Sequence, residues 1–133
     1  MKTDNTTLKK LTRGEEEVMQ ILWQLGAGSI NDLIAAMQEP KPKYTTVATF
    51  LKILENKGYV EHEAGGGKSY EYRPIVPKEE YAHSVMSGLL SSYFDGSLAQ
   101  MVSFFSRRED LSIQEAEQIL DIIRETKRKT DKP

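Results

Sequence analysis

The segment 43–60, KYTTVATFLKILENKGYV, constrains the fold more than any other feature, together with the glycine-rich run at 65–69 that follows it. Its apolar residues recur at the helical spacing i, i+3, i+4 and i+7, which predicts one buried stripe: Val47, Phe50, Leu51 and Leu54. The opposite face carries small, hydroxylated or basic side chains and no acid before Glu55: Thr45, Thr46, Ala48, Thr49 and Lys52. Such a face can enter a DNA groove without charge repulsion and can offer hydroxyls and a cation to bases and phosphates. We therefore predict a DNA-reading helix.

Cations concentrate near this helix although the whole chain is acidic. The formal net charge is −2 at pH 7; residues 1–76 contribute a net charge of 0 and residues 77–133 contribute −2. Six basic residues surround the predicted helix: Lys41, Lys43, Lys52, Lys57, Lys68 and Arg73. A locally basic surface can bind phosphates on an acidic protein, so we expect modest non-specific DNA affinity that depends strongly on salt.

Composition limits the remaining functions. The chain has 133 residues, 38% of them hydrophobic, which suffices for one domain or a small domain with an appendage. It has no cysteine and only two histidines, His62 and His83, well separated in the sequence. We therefore expect no metal, no cofactor and no enzymatic activity. No apolar run is long enough for a membrane span, and residues 1–10 lack the apolar stretch of a secretory signal. The expectation is a cytoplasmic protein without direct membrane binding.

Capping residues and glycines divide the first part of the chain into three helices. Thr12 with Glu15 forms a capping box that opens the first helix, and Gly26 ends it. Ser29 caps a second, shorter helix. The third helix is predicted to open at Thr45 or Thr46 and to end before the glycine at position 58.

Two short runs with strand character, 59–64 and 70–75, flank the glycine-rich residues 65–69. They predict a β-hairpin. Three helices followed by a hairpin is the plan of the winged helix-turn-helix, in which the third helix enters the major groove. The predicted fold class is mainly α with a small β-hairpin: a winged helix-turn-helix DNA-binding domain at 1–76, followed by a helical dimerisation region at 77–133.

The second part of the chain carries more apolar groups than it can bury alone. We predict a helix over 78–94, a short helix capped by Ser97, and a final helix opened by Ser112 with Glu115. Three helices of this size cannot wrap all their apolar side chains, so we predict a two-fold homodimer that binds a palindromic site. The predicted dimerisation residues are Val85, Leu89, Leu90, Tyr93, Phe94, Met101, Phe105, Ile119, Leu120 and Ile123.

Three motifs in order resemble the penicillinase-repressor family: LTRGEEEVMQILW at 11–23, YTTVATFLKILENKGYV at 44–60 and GGGKSYEYRPIVPKEEY at 65–81. The resemblance covers almost the whole chain. It implies a homodimeric winged-helix repressor that sits on a dyad-symmetric double-stranded DNA operator, which the third helix contacts. It also places DNA contacts of the hairpin near Lys68 and Ser69.

The same resemblance implies a release mechanism. In the antibiotic-responsive branch of the family, a membrane sensor-protease pathway leads to cleavage of the tail, at a position that matches Ser103, Phe104 and Phe105 here. This chain has Phe or Ser where those members carry Asn before Phe. The Phe104–Phe105 pair is more readily interpreted as part of the dimer core than as the cleaved bond. The copper-responsive branch carries a cysteine cluster that this chain lacks, which excludes copper sensing by that chemistry.

Several side chains near the predicted helices allow a second interpretation. The threonines could form a merely solvated face, with Thr45 or Thr46 as a cap. Arg73 is predicted to pair with an acid or to reach a phosphate. Glu15 and the acids after it are interpreted as an acidic first turn that favours the helix dipole, and Trp23 as packing between the first helix and the hairpin. A different function class is a protein-interaction module, since winged helices also serve in that role.

Overall fold

The computed structural model describes residues 8–65 and 70–130, and it confirms the predicted fold class. The elements in chain order are α1 (Arg13–Leu25), α2 (Ile30–Ala36), α3 (Tyr44–Asn56), β1 (Val60–Ala64), β2 (Tyr70–Pro74), α4 (Lys78–Phe94), α5 (Leu98–Arg107) and α6 (Ile113–Thr130). The described residues divide into two compact units, one up to Val85 and one from Met86 onward.

Helix starts follow the predicted caps at α1 and α2. Thr12 and Glu15 form a reciprocal capping box, and Ser29 does the same with Asp32. Gly26 ends α1 with a positive φ of 87°, a backbone conformation that glycine adopts without strain. At Thr12 and at Ser29, the side-chain oxygen accepts from a backbone N–H that would otherwise be unpaired at the helix start.

The start of α3 differs from the prediction. The helix begins at Tyr44, after an extended Lys43 that makes no side-chain capping bond. Thr45 and Thr46 are therefore helical residues of the first turn, and neither is the cap. The prediction is wrong here because Lys43 lacks a capping side chain, whereas the threonines after it carry the hydroxyls that usually mark a helix start.

The two strands form an antiparallel hairpin in which Val60 pairs with Pro74, His62 with Tyr72 and Ala64 with Tyr70. The connection between α1 and α2 joins this hairpin. Gly28 N–H donates to the Tyr72 carbonyl at 2.9 Å, and Tyr72 N–H donates to the Gly28 carbonyl at 2.8 Å. Sequence periodicity could not predict this bridge, because a single pairing residue has no pattern of its own.

The core of the first unit lies between α1, α2, α3 and the hairpin. Its fully buried side chains come from all these elements: Met19, Leu22, Leu33, Val47, Leu51, Leu54, Tyr59 and Val60. Glu15 is also buried, 4% exposed, and its Oε1 lies 2.6 Å from Lys57 Nζ. Glu15 therefore pairs with Lys57 in addition to its predicted places in the capping box and the acidic first turn.

The first unit continues beyond residue 76, where the sequence placed the domain boundary. Trp23 Nε1 donates to the Val76 carbonyl at 2.9 Å, and the Trp23 ring lies 5.6 Å from the ring of Tyr81. Tyr81 is buried, and Val85 packs against the same core. Trp23 thus contacts the segment after the hairpin and the first turns of α4. Val85, predicted as a dimerisation residue, lies half-buried on the core of its own chain.

The second unit has no buried side chain among residues 86–129, the part of it whose side chains the structure describes. Ser97 and Ser112 cap α5 and α6 as predicted, each accepting a hydrogen bond from the backbone three residues on. Aromatic contacts link α4 to α5, since the rings of Phe94 and Phe104 lie 5.7 Å apart in an edge-to-face arrangement. Many apolar groups of this unit remain exposed: Met86, Leu89, Tyr93, Leu98, Val102, Phe104, Phe105, Ile113, Leu120, Ile122 and Ile123. No helix in the described part of the chain combines the length and apolarity that a bilayer span requires.

Candidate nucleic-acid interface

The exposed side of α3 presents a polar stripe. Thr45, Thr49 and Lys52 lie at i, i+4 and i+7, and all are exposed, as is Thr46. Ala48, a further predicted contact, is half-buried and packs against the core. The core-facing side of α3 is held by Val47, Leu51 and Leu54. The helix is thereby fixed with its threonines toward solvent.

Asn56 extends this stripe beyond the residues predicted from sequence. It follows Lys52 by four residues, is exposed, and is the last residue of α3. The predicted face stopped at Glu55, the first acid of the helix. An exposed asparagine at this spacing was a readable signal, since its amide can bond base edges.

The hydroxyl of Thr49 is partly committed within the helix. Its Oγ1 donates to the Thr45 carbonyl at 2.9 Å, so the oxygen remains available as an acceptor. At the start of α3, Lys43 is exposed and leaves the first backbone N–H groups without a side-chain cap. A helix start in this state favours nearby negative charge, such as a phosphate.

Three of the six cations expected around α3 are engaged elsewhere. Lys41 Nζ bonds the carbonyls of Ala35 and Met37 at the end of α2, and Lys57 is held by Glu15. Of the described cations around α3, Lys43 and Lys52 make neither a salt bridge nor a side-chain hydrogen bond, and both are exposed. These two are the ones available to phosphates. Lys68 and Ser69, the predicted hairpin contacts, lie outside the described residues.

Arg73 pairs with acidic side chains, which is the first of the two roles predicted for it. Its Nε lies 3.3 Å from Glu61 Oε2, and its guanidinium also contacts Glu63 across the hairpin. The hydrogen bond and the charge of Glu63 raise the pKa of Arg73, with Glu61 adding to the effect. The guanidinium is therefore committed to the hairpin itself.

His62 links the hairpin to α3. Its Nδ1 lies 2.8 Å from Glu55 Oε2, and its ring packs near those of Tyr70 and Tyr72 at 4.6 and 5.3 Å. Among the described residues, no cluster of three histidine, aspartate or glutamate side chains is placed to share a metal ion. His62 therefore joins the hairpin to α3 through its pair with Glu55 and packs against the rings of Tyr70 and Tyr72.

The curated relatives of this chain include proteins named as a regulatory protein and as a repressor. The chain is 28% identical over 123 residues to the methicillin resistance regulatory protein MecI of Staphylococcus aureus (strain N315), covering 90% of this chain and 97% of the relative. It is 26% identical over 123 residues to the penicillinase repressor of Bacillus licheniformis, covering 90% and 94%. Both alignments therefore span nearly the full length of each protein.

A solved structure agrees on the fold. The complex structure of hsRosR-S4 superposes with a TM-score of 0.54 at 16% identity, over 80% of this chain and 95% of that chain. At this identity the likeness concerns the fold alone. The family described as penicillinase repressor matches residues 11–125, which include both strands and every described helix except residues 126–130 of α6. The chain therefore belongs to the penicillinase-repressor family.

Proposed function

We propose that this protein is a dimeric, sequence-specific transcriptional repressor that binds a palindromic double-stranded DNA operator. The observation that carries the proposal is the exposed stripe of α3, where Thr45, Thr49 and Lys52 form an acid-free polar face on a helix whose other side is buried in the core. A protein-binding face would be expected to carry bulky apolar or acidic residues instead. The membership in a family of repressors, which are not enzymes, supports the same function.

The homodimer is proposed because the second unit lacks a core of its own. Its described residues include no buried side chain, while α5 and α6 expose Val102, Phe105, Leu120 and Ile123. An exposed apolar area of this kind marks an association surface. A two-fold partner would cover it and would present two reading helices to one dyad-symmetric site.

Dimerisation also supplies the proposed means of control. Once one subunit is bound, the second contact is intramolecular, so losing the dimer is expected to weaken operator binding by about 10²–10⁴-fold without any change in α3. Repression is then steric, because the bound dimer excludes polymerase from the promoter. A change in the second unit can release it.

The proposed release step is cleavage in α5, at Ser103, Phe104 or Phe105, through a membrane sensor-protease pathway. These residues are exposed in the single chain, although Ser103 Oγ accepts a hydrogen bond from Arg107 at 2.8 Å within the helix. A protease binds an extended segment, so α5 would have to unfold locally first. The same residues would be less accessible in a dimer whose core includes Phe105.

The function is tested by selection from a random pool of DNA duplexes with the full-length protein, followed by footprinting on the selected sequence. A protected site with dyad symmetry is the expected result. Leu120→Glu, a change at an exposed position, should make the protein monomeric and reduce protection by about 10²-fold or more. Gln118→Glu adds the same charge on the opposite side of α6 and should leave both properties unchanged.

Failure to enrich any sequence, by a folded protein, would reject operator binding and favour a protein-interaction module. Enrichment of a site without dyad symmetry, or by a monomer, would reject the dimeric part of the proposal. The oligomeric state is measured by sedimentation equilibrium at the concentrations used for DNA binding.

A further inference from the structure

The hairpin has two chemically different faces. Successive residues of a strand point to opposite sides, and the register places His62 opposite Tyr72 and Ala64 opposite Tyr70. One face is therefore aromatic, and we call it the aromatic face: His62, Tyr70 and Tyr72. The other is charged, and we call it the acidic face: Glu61, Glu63, Glu71 and Arg73.

The aromatic face is continuous with α3. His62 reaches Glu55 of α3 at 2.8 Å, so this face turns toward the reading helix. Burial raises the pKa of Tyr72, and the nearby Glu55, Tyr44 and Tyr70 act in the same direction. Tyr44 is the first residue of α3 and directly precedes Thr45 of the polar stripe.

Two phenols, one at the start of α3 and one on the aromatic face, are open to solvent. Tyr44 is 53% exposed and Tyr70 is 54% exposed. Large aromatic side chains at such exposure leave apolar ring surface and a hydroxyl donor uncovered. Tyr44 adjoins Lys43 and Thr45, so one phenol stands at the edge of the stripe on α3 and the other on the hairpin.

The acidic face is unsuited to DNA. It carries three carboxylates and one guanidinium, and Arg73 is paired with Glu61 and Glu63. Its net charge would repel a phosphate chain at close range. The acidic face would therefore repel the phosphates of DNA, whereas the three rings of the aromatic face add no carboxylate.

We propose that the hairpin meets DNA with its aromatic face, and that Tyr70 and Tyr44 each donate a phenolic hydrogen bond to the sugar–phosphate backbone beside the groove that α3 enters. This inference rests on the proposed function and adds to it the orientation of the hairpin. The rings would lie against deoxyribose, where the contact is independent of base sequence. The acidic face then points away from the duplex.

The contact predicts a specific salt behaviour. A neutral phenol releases no counterion, so removing its hydroxyl lowers affinity and leaves the salt dependence unchanged. Removing a lysine that contacts a phosphate lowers both. Tyr and Lys variants can therefore be told apart in one titration series.

The test uses the full-length protein and the duplex that it selects from a random pool. Tyr70→Phe and Tyr44→Phe keep the rings and remove the hydroxyls, while Glu71→Gln changes the neighbouring residue on the acidic face. Each phenylalanine variant should weaken binding about tenfold or more, as expected for a lost hydrogen bond to a charged group, with an unchanged salt slope and melting temperature. Glu71→Gln should retain or slightly increase affinity.

Lys52→Ala separates failure of this inference from failure of the proposed function. If Lys52→Ala weakens binding while both phenylalanine variants bind like the wild type, operator binding stands and the aromatic-face contact is rejected. A loss in Glu71→Gln as large as in Tyr70→Phe would reject the assigned orientation. If the wild type selects no duplex, the function and this inference fall together.

Discussion

Lys57 Nζ lies 2.6 Å from Glu15 Oε1 and ties the end of α3 to the start of α1 inside the first unit. Lys57 also donates to the Lys10 carbonyl at 2.8 Å, and Glu15 accepts from Thr12 N–H at 3.1 Å. The carboxylate is almost completely buried, whereas the lysine side chain keeps 23% of its exposure. The pair therefore fixes the position of α3 relative to α1, with unequal burial of its two charges.

Because Glu15 is more deeply buried than Lys57, removing the lysine should destabilise the fold more than neutralising the glutamate. Lys57→Met leaves a buried carboxylate without its cation and should lower the free energy of unfolding by about 3 kcal/mol. Glu15→Gln leaves a lysine that still reaches solvent and the Lys10 carbonyl, and the amide oxygen can still accept from Thr12, so about 1 kcal/mol is expected. Urea unfolding of both variants and of the double variant measures this. Strict additivity in the double variant would contradict a direct interaction.

The pair also predicts a dependence of stability on acid. Burial raises the pKa of Glu15, but the hydrogen bond from Lys57 and those from Thr12 outweigh it, so the pKa is lowered from its ordinary 4.5. Because the folded state holds the proton more weakly, this stabilisation is present above pH 4.5 and is lost as pH falls through the folded pKa. The unfolding free energy of Glu15→Gln should therefore fall less steeply than that of the wild type below pH 4.5. Parallel curves for the two proteins would reject the contribution of Glu15.

At alkaline pH, Tyr59 predicts that the free energy of unfolding falls as pH rises. Its burial, with smaller effects from Tyr81, Glu15 and Glu80, raises its pKa from 10.0 to about 12. The unfolded chain then loses the phenolic proton first, so the contribution of Tyr59 to stability is fully present below pH 10 and is lost as pH rises toward 12. Below pH 10 the unfolding free energies of the wild type and Tyr59→Phe should differ by a constant amount, which reflects the lost hydrogen bond from Tyr59 to the Lys9 carbonyl. Above pH 10 this difference should shrink, because only the wild type loses the contribution of the protonated phenol. A difference that stays constant up to pH 12 would contradict the prediction.

A close contact between α1 and α3 predicts that one glycine cannot become alanine without rearrangement. A Cβ added at Gly14 would lie 2.5 Å from Cζ of Phe50, so the ring must shift. We expect Gly14→Ala to lower the unfolding free energy by about 1 kcal/mol, since overpacking outweighs the gain in helix propensity. Adding Phe50→Leu should restore it. Gly88→Ala is the matched control, because nothing lies within 4 Å of its added Cβ, and it should stabilise the protein slightly.

Local signals were sufficient for most of the fold. Helical spacing predicted every helix, and Thr12, Ser29, Ser97 and Ser112 marked their starts, because caps and periodicity are properties of neighbouring residues. The start of α3 was misplaced by one or two residues, since Lys43 gives no capping signal.

Contacts between residues that are far apart in the chain could not be predicted from the sequence. The Glu15–Lys57 pair, the bridge of Gly28 to Tyr72 and the packing of Val85 on the first unit join segments that are far apart in the chain. None of them has a periodic pattern. In the candidate interface, the face of α3 was predictable from spacing, but the engagement of Arg73 and Lys57 by acids was visible only in three dimensions.

Those engaged cations sharpen the prediction for Lys52. With Lys41, Lys57 and Arg73 committed elsewhere, Lys52 is one of few described cations near α3 available to a phosphate. Lys52→Ala should weaken operator binding and reduce the slope of log affinity against log salt by about one per half-site. Lys78→Ala removes an exposed cation beside Gln20 and Gln24 of α1 and should change neither quantity.

The measurement is a set of binding isotherms from about 50 to 200 mM salt, over which several phosphate contacts together change affinity by orders of magnitude. A lost sequence preference with an unchanged slope would assign Lys52 to a base edge, because a base contact releases no condensed counterion. Equal slopes and affinities in Lys52→Ala and the wild type would remove Lys52 from the interface. Since Thr45 and Thr49 lie on the same stripe, that result would also count against the orientation of α3 on which the proposed function depends.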